Sequence, residues 1–161
     1  MTRIEYNKAV ELHADNLYRF ILKNIHDVEK TKDIVQDTFL KIWDKRHDVA
    51  FEKVKPYMFT TAYRTMIDLL RREKKQSRME EADLNKLTTT HQYSDLQVIL
   101  HEALDQLPEI QKAVVLLRDY EGYNYTEIGE ITGLTESQVK VYIYRARKFL
   151  QKYIGNIEVL M

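Results

Sequence analysis

The chain contains 161 residues, of which 44% are hydrophobic and 31% are charged, with 4 glycines, 2 prolines and no cysteine. This composition excludes a wholly disordered chain, and the length excludes a large enzyme barrel while allowing one compact domain or two small ones. The lack of cysteine excludes disulfides, thiolate zinc sites and cysteine nucleophiles. Few turn residues favour long helices, and because we find neither a secretion signal nor an apolar run of membrane-spanning length, we expect a cytoplasmic protein.

The formal net charge is zero, but the charges are unevenly distributed along the chain. Residues 1–77 carry 16 Lys+Arg against 12 Asp+Glu, whereas residues 98–161 carry 7 against 9. One basic patch is Arg71–Lys75, and a second patch consists of Lys140, Arg145, Arg147, Lys148 and Lys152. Two such patches on a neutral chain indicate two nucleic-acid-binding surfaces, although two solvated helix faces would give the same pattern.

The first unit, residues 1–76, is predicted to contain three helices, over Glu5–Ile25, Val28–Arg46 and Pro56–Lys75. Asp27 is expected to cap the second helix, because its carboxylate can accept from the free N–H groups of the first turn. The second and third helices carry apolar stripes at helical spacing, which we interpret as core. These stripes consist of Ile34, Val35, Phe39, Ile42, Trp43, Phe59, Tyr63, Met66, Ile67 and Leu70.

A polar, weakly periodic segment over residues 77–94 is predicted to be a linker, and residues 95–161 a second unit. We expect helices over Asp95–Gln106, with Ser94 as its cap, and from Pro108 to Gly122. Two capping boxes, formed by Asn124 with Glu127 and by Thr135 with Gln138, predict a short helix and then a long one over Glu136–Tyr153. A short helix, a glycine turn and a longer basic helix form the helix-turn-helix order.

The last helix has one apolar face and one polar, basic face. Spacing predicts that Val139, Ile143, Ala146 and Leu150 pack on the preceding helices. The opposite face carries Ser137, Lys140, Val141, Tyr144, Arg145 and Lys148. A helix fits the major groove of DNA and reads bases with its early residues, so this face is predicted to bind DNA, with an ordinary surface helix as the alternative.

The second helix carries a mixed acidic, amide and leucine face, formed by Asp33, Gln36, Asp37 and Leu40. The like charges of Asp33 and Asp37, one turn apart, repel slightly. Such a face suits a partner that presents Arg and Lys on a helix. From the residues alone, a solvated face is at least as reasonable an interpretation.

Together these pieces resemble the sigma-70 family of RNA polymerase sigma factors, specifically the extracytoplasmic-function (ECF) group. Residues 33–43 (DIVQDTFLKIW) are similar to region 2.2, and residues 55–62 (KPYMFTTA) with 67–72 (IDLLRR) to regions 2.3 and 2.4. Residues 107–109 (LPE), 125–129 (YTEIG) and 137–147 (SQVKVYIYRAR) are similar to region 4.2. The resemblance implies an all-α fold of two small helical domains and a promoter-specificity subunit without catalytic residues or cofactors.

By this resemblance, Asp33, Gln36, Asp37 and Leu40 would bind the β′ coiled coil of polymerase core, and the β flap is a further expected contact on the core. The linker, with Glu80, Glu81 and Asp83, would thread the polymerase channel. An anti-sigma factor is a further partner that the family implies, with the inter-domain cleft as its target. Neither a small-molecule substrate nor insertion into a membrane is implied.

The resemblance also assigns two sets of DNA-binding residues. Those expected at the −10 element are Tyr57, Thr61, Arg64, Thr65, Arg71 and Arg72. Those expected at the −35 element are Arg118, as a phosphate contact, and Ser137, Lys140, Val141, Tyr144, Arg145 and Lys148. Two positions depart from the family: Arg64 stands where Asn is frequent, which affects −10 base choice, and Gly129 replaces a small Ala, which should only weaken its helix.

Other functions have less support from the sequence. The chain lacks the zinc motif His-Glu-x-x-His, a Walker A loop and a dinucleotide fingerprint. Asp33 and Asp37 could in principle bind Mg²⁺ in a small helical nuclease, but no third carboxylate has a recognisable setting. The main alternative is a stand-alone dimeric helix-turn-helix regulator of duplex DNA, which leaves the Asp33–Trp43 face and the Arg71–Lys75 patch without a role.

Overall fold

A computed structural model describes residues 1–79 and 95–160, and every element among them is helical. The predicted all-α fold with two small helical domains is therefore confirmed. Most of the predicted linker, including Glu80, Glu81 and Asp83, and the predicted cap Ser94 lie outside the described residues.

The N-terminal domain consists of α1 (Arg3–Ile25), α2 (Val28–Asp44) and α3 (Val54–Met79). Helix α1 begins earlier than predicted because Thr2 and Glu5 form a capping box. The predicted cap Asp27 accepts from the backbone N–H of Lys30 at 3.0 Å. Helix α2 ends at Asp44 and is followed by two short 3₁₀ turns, Arg46–Asp48 and Phe51–Lys53. Helix α3 starts at Val54, two residues before Pro56, since a helix tolerates proline in its first turn.

The core of this domain lies between the three helices. The predicted core residues Ile34, Val35, Ile42, Phe59, Tyr63 and Met66 are buried, whereas Phe39, Trp43, Ile67 and Leu70 are only half-buried. Trp43 lies between two partners: its ring centroid is 4.9 Å from that of Tyr6, and the Arg46 guanidinium is 3.7 Å from its centroid. The Tyr6 hydroxyl donates to the Phe39 carbonyl at 2.8 Å, which joins α1 to α2.

The C-terminal domain consists of α4 (Asp95–Asp105), α5 (Glu109–Val115), α6 (Tyr125–Thr132) and α7 (Glu136–Leu160). Helix α5 continues into a π-type turn, Leu116–Tyr120, which the periodicity did not predict. Gly122 follows with a φ of 76°, a left-handed conformation that glycine adopts without strain. The predicted helix-turn-helix is formed by α6 and α7.

Both predicted capping boxes are present. The Glu127 N–H donates to the Asn124 side chain at 2.8 Å, and the Asn124 N–H donates to the Glu127 carboxylate at 3.0 Å. Thr135 and Gln138 make the same reciprocal pair at 3.2 and 3.0 Å. The first box fixes the start of α6, and the second fixes the start of α7. Together they set the direction in which α7 leaves the turn.

Gly129 has a steric role that the sequence did not reveal. It is buried in α6, and a Cβ built on it would lie 2.7 Å from the Leu134 carbonyl oxygen. That oxygen belongs to the backbone of the turn, so it cannot move aside as a flexible side chain would. The expectation that glycine here only weakens the helix is incomplete, since its missing Cβ allows α6 and the turn to approach closely.

The two domains pack against each other through α3 and α6, and through α1 and α5. Phe59 of α3 and Tyr123, which precedes α6, stand nearly perpendicular with ring centroids 5.3 Å apart. Both side chains are buried, at 0% and 5% exposure. The described core is thus continuous from one domain to the other.

Candidate nucleic-acid interface

Helix α7 has one buried apolar face and one exposed polar face. Val139, Ile143 and Ala146 are buried as predicted, and Leu150 is half-buried. The six residues predicted to face DNA are all exposed: Ser137, Lys140, Val141, Tyr144, Arg145 and Lys148. The packing of α7 therefore presents these six side chains together on one side of the helix.

The cations on this face of α7 differ in the contacts that they make with other residues of the chain. Lys140 Nζ lies 3.5 Å from a Glu136 carboxylate oxygen, one turn earlier, and 5.8 Å from the Tyr125 ring centroid. Lys148 Nζ is 5.8 Å from the Tyr144 ring centroid. Arg145 has no hydrogen bond or ion pair to any residue in the described ranges 1–79 and 95–160. Its five N–H donors are available for an external acceptor, such as a guanine edge or a phosphate.

Arg147 belongs to the basic patch identified in the sequence, but it has an internal partner. Its Nη2 lies 2.5 Å from Asp119 Oδ1, and its Nε lies 3.3 Å from Oδ2, in a bidentate pair. The hydrogen bonds to Asp119 raise the pKa of Arg147 above its ordinary value. Arg147 therefore ties α7 to the π-type turn, a role the sequence did not indicate because the two residues are 28 positions apart.

Arg118, the predicted phosphate contact, is half-buried and already partly engaged. Its Nη1 donates to the Tyr123 carbonyl at 2.9 Å, and its guanidinium lies 4.9 Å from the Tyr125 ring centroid. These contacts hold the loop before α6. Because a guanidinium has five N–H donors, the remaining ones can still bind a phosphate.

The residues predicted for the −10 element lie along α3. Arg64, Arg71 and Arg72 are exposed, and Tyr57, Thr61 and Thr65 are half-buried. The Thr61 hydroxyl donates to the Tyr57 carbonyl at 2.9 Å, and the Thr65 hydroxyl donates to the Thr61 carbonyl at 2.8 Å. Both threonines thus use their single O–H within the helix and present only oxygen lone pairs outward.

The polar face of α2 lies beside this surface. Asp33, Gln36 and Leu40 are exposed, with Leu40 at 65%, and Asp37 is half-buried. Leu40 is thus an exposed apolar side chain on the same helix face as the two carboxylates. The four predicted residues are therefore close together and accessible from outside.

A cluster at the domain junction was not predicted from the sequence. Lys112 of α5 has a side chain only 9% exposed, and its ammonium donates to the Asn24 carbonyl at 3.0 Å and to Asp105 Oδ1 at 2.9 Å. His26 Nε2 lies 2.5 Å from the same carboxylate oxygen. Burial acts to raise the pKa of Asp105, but the hydrogen bonds from His26 and Lys112 outweigh it, and the pKa lies below its ordinary value. These groups fasten α4 and α5 to the end of α1.

Two groups in the loop before α6, Tyr123 and Glu121, are also partly or fully desolvated. The hydroxyl of Tyr123 has no hydrogen-bond partner among the described residues, and burial raises its pKa well above the ordinary value. Burial also raises the pKa of Glu121, against the opposing effect of Lys55 and Lys23. Both groups belong to the C-terminal domain, and burial disfavours the charged form of each.

The competing metal chemistry considered from the sequence involves Asp33 and Asp37 of α2. Within the described residues 1–79 and 95–160, no group of three or more His, Asp or Glu side chains is arranged to hold a metal ion. Asp37 is paired instead with Lys41, at 2.9 Å. Each helix in those ranges is too short or too polar to span a lipid bilayer.

Comparison with known proteins identifies the family. Residues 9–76 match the family Sigma-70 region 2, and residues 97–150 match Sigma-70, region 4. RNA polymerase sigma factor SigV of Bacillus subtilis is 32% identical over 140 residues, covering 86% of this chain and 84% of that protein. ECF RNA polymerase sigma factor SigM of the same organism is 26% identical over 151 residues, covering 90% of this chain and 92% of that protein.

Solved structures show the same fold. The sigma factor RpoE of Bartonella quintana, in complex with the anti-sigma factor NepR, has a TM-score of 0.82 at 24% identity and covers 93% of this chain and 96% of that one. CnrH in complex with the cytosolic domain of CnrY has a TM-score of 0.68 at 20% identity, over 94% of this chain and 88% of that one. With both sigma-70 regions matched in order and a relative above 30% identity, the chain belongs to the ECF group of the sigma-70 family.

Proposed function

We propose that this protein is a promoter-specificity subunit, which binds RNA polymerase core and directs initiation by recognising −35 and −10 promoter elements. The observation that carries this function is the presence, in one chain, of a region 2 domain with an exposed acidic and leucine face and a region 4 domain with an exposed basic helix. A stand-alone regulator would need only the second of these.

The polymerase contact is assigned to Asp33, Gln36, Asp37 and Leu40 on α2. Their accessibility supports a partner helix that bears Arg and Lys, such as the β′ coiled coil, with Leu40 packing at its centre. Complementary charge would orient the encounter and speed association. The β flap is the proposed partner of the C-terminal domain.

The −35 element is assigned to α7. Arg145, Lys140 and Ser137 would donate to base edges and phosphates, while Val141 and Tyr144 would make apolar contacts in the major groove, with Lys148 and Arg118 at the backbone. The exposure of the α7 residues and the fixed start of the helix at Thr135 support this assignment. Each well-made bidentate base contact contributes about 1–3 kcal/mol of discrimination.

The −10 element is assigned to α3. Tyr57 is half-buried near the start of the helix, where its ring could stack on an unpaired base, worth roughly 1–3 kcal/mol. Arg64, Arg71 and Arg72 would contact the phosphate backbone, and Thr61 and Thr65 would accept hydrogen bonds from bases. Because Arg64 is a cation where relatives often have an amide, we propose that the base preference at this position differs.

The remaining assignments follow from the family. We propose an anti-sigma factor as a further partner, because the matched sigma factors RpoE and CnrH were solved with NepR and the cytosolic domain of CnrY. We propose that the protein has no catalytic residues or cofactor of its own, and that it acts in the cytoplasm, where RNA polymerase is found. We also keep the division into residues 1–76, 77–94 and 95–161 as the proposed domain boundaries.

The test is co-elution of the purified chain with bacterial RNA polymerase core in size-exclusion chromatography, followed by transcription from a promoter library. Co-elution, with new transcripts that share a spaced −35 and −10 pair, is the expected result. Absence of co-elution, together with tight salt-dependent binding of a palindromic duplex by the chain alone, would instead identify a dimeric regulator.

A further inference from the structure

Lys41 connects the two functional surfaces of the N-terminal domain. Its ammonium lies 2.9 Å from Asp37 Oδ2, one turn earlier on α2, and 3.0 Å from the Thr65 hydroxyl oxygen on α3. Asp37 belongs to the proposed polymerase surface and Thr65 to the proposed −10 surface. One side chain therefore contacts both sites, although neither the sequence nor the family match assigns it a role.

The hydrogen bonds around Thr65 have a fixed direction. The Thr65 hydroxyl donates its only proton to the Thr61 carbonyl at 2.8 Å, so it can only accept from Lys41. A lysine ammonium has three donors and no acceptor. With one donor on Asp37 and one on Thr65, the third remains for a group outside the chain.

The pair between Lys41 and Asp37 is weakly held. Their side chains are 51% and 48% exposed, and ion pairs this accessible contribute little because water and salt screen them. A cation of a binding partner that approaches Asp37 would compete directly with Lys41 for the carboxylate. Lys41 would then be an uncompensated charge at the edge of α3.

We propose that Lys41 is a phosphate-binding residue whose charge is compensated by Asp37 in the free chain and becomes available to promoter DNA when polymerase core engages Asp37. The proposal rests on the proposed function and adds to it a DNA contact on α2. It also gives a physical reason why the bound chain should hold DNA more firmly than the free one.

The experiment uses holoenzyme assembled from polymerase core and four chains: wild type, Lys41→Met, Lys41→Arg and Lys32→Met. Lys32 is the matched control, since it is an exposed lysine on the same helix that pairs only with Glu29 among the described residues. The DNA probe is a promoter selected from a duplex library by the wild-type holoenzyme. DNA affinity is measured by fluorescence anisotropy as a function of salt concentration, and core affinity is measured separately.

If Lys41 contacts a phosphate, Lys41→Met reduces the magnitude of the slope of log affinity against log salt by about 0.7–0.9, the contribution of one phosphate. It weakens binding equally on promoters with different −10 sequences, and Lys41→Arg restores the slope. Core affinity of Lys41→Met stays the same or increases, because Asp37 no longer has to leave an internal partner. Lys32→Met behaves as wild type.

A purely structural role for Lys41 gives a different result. The melting temperature of Lys41→Met would fall slightly, and its salt slope would equal that of wild type and Lys32→Met, which would overturn the proposal. Failure of the wild-type chain to assemble with core would overturn the proposed function itself, so the two failures are distinguishable. Circular dichroism of each variant checks that the fold is retained.

Discussion

The two proposed DNA-binding helices differ in how far their polar groups are already engaged. On α7, Arg145 has no partner among the described residues, and Tyr144 is 65% exposed. On α3, the hydroxyls of Thr61 and Thr65 donate to their own helix, and Thr65 also accepts from Lys41. Arg145 on the proposed −35 surface therefore has no described contact to give up, whereas the two threonines on the proposed −10 surface have internal contacts that DNA must share or displace.

This difference fits the two proposed tasks, which are reading a duplex at the −35 element and capturing a melted strand at the −10 element. A duplex read from the major groove keeps its structure, so a preformed helix face can bind it with little rearrangement. A melted strand presents unstacked bases that must be captured as they separate, and a surface that is completed only with polymerase bound would act at that later stage. The contrast between α7 and α3 leads to the following predictions.

Asp37→Arg should have the largest effect. The substitution places a cation against a basic partner, and such like-charge contacts cost several kcal/mol, so core affinity should fall by about 100-fold or more. Fluorescence anisotropy of labelled chain with core measures the loss. The control is Asp15→Arg, which makes the same charge change at an exposed position of α1 outside the proposed surface. Normal assembly of Asp37→Arg would remove Asp37 from the interface.

Arg145→Ala tests the proposed −35 surface on α7. Loss of a base contact should reduce the preference for the native −35 sequence over a mutated one by about 1–3 kcal/mol, or roughly 5- to 150-fold. Lys152→Ala removes a cation later on the same helix, at an exposed position outside the predicted DNA-binding residues. It should therefore leave −35 discrimination intact. Equal loss of discrimination in both variants would show that only net charge matters.

Lys112→Met tests the junction between the two domains, which joins the domain that contains α3 to the domain that contains α7. The substitution leaves the Asn24 carbonyl without its donor and removes one partner of Asp105, so the free energy of unfolding should fall by about 1–3 kcal/mol. Urea denaturation measures it. Lys152→Met, an exposed change on α7, should have no effect. If Lys112→Met is as stable as wild type, the buried ammonium does not stabilise the junction.

Gly129→Ala tests the turn between α6 and α7, which sets the direction of α7. Overlap of the new Cβ with the Leu134 carbonyl should cost about 1–3 kcal/mol, against a gain of ~1 kcal/mol in helix propensity. A net loss near 1 kcal/mol lowers Tm by about 2–4 °C. Gly155→Ala is the matched control, because nothing lies within 4 Å of its Cβ, and it should raise Tm instead. A higher Tm for Gly129→Ala would show that the turn relaxes freely.

The smallest expected effect is the pH dependence of the junction. Asp105 has a pKa below its ordinary value of 3.8, so its contribution to stability is complete above that pH. The contribution is lost as the pH falls through the lower pKa of the folded chain. Asp105→Asn should therefore remove part of the stability loss that wild type shows below about pH 4. Parallel acid-unfolding curves for both proteins would contradict this.

The features predicted correctly from the sequence are those that depend on near neighbours. The caps at Asp27, Asn124 and Thr135 follow from hydrogen bonds across three residues, and the buried stripe of α7 follows from helical spacing. Lys112 could not be predicted in this way, because its partner Asn24 is 88 positions away and a lone lysine in the sequence is typical of a solvated surface. The assignments on α2, α3 and α7 remain predictions until the variants are measured.

The packing of the two domains has a consequence for apparent promoter affinity. Elements centred at −35 and −10 are roughly 25 base pairs apart, or about 85 Å of duplex at ~34 Å per turn. A packed chain of this length has a diameter of only about 40 Å, from the usual scaling of the radius of gyration. For a chain that binds both elements as proposed, the packed form is too short, so the apparent dissociation constant is the intrinsic one divided by the fraction of molecules in which Phe59 and Tyr123 have separated. Substitutions that weaken this contact should therefore lower stability while strengthening promoter binding, an inverse relation between the two measurements.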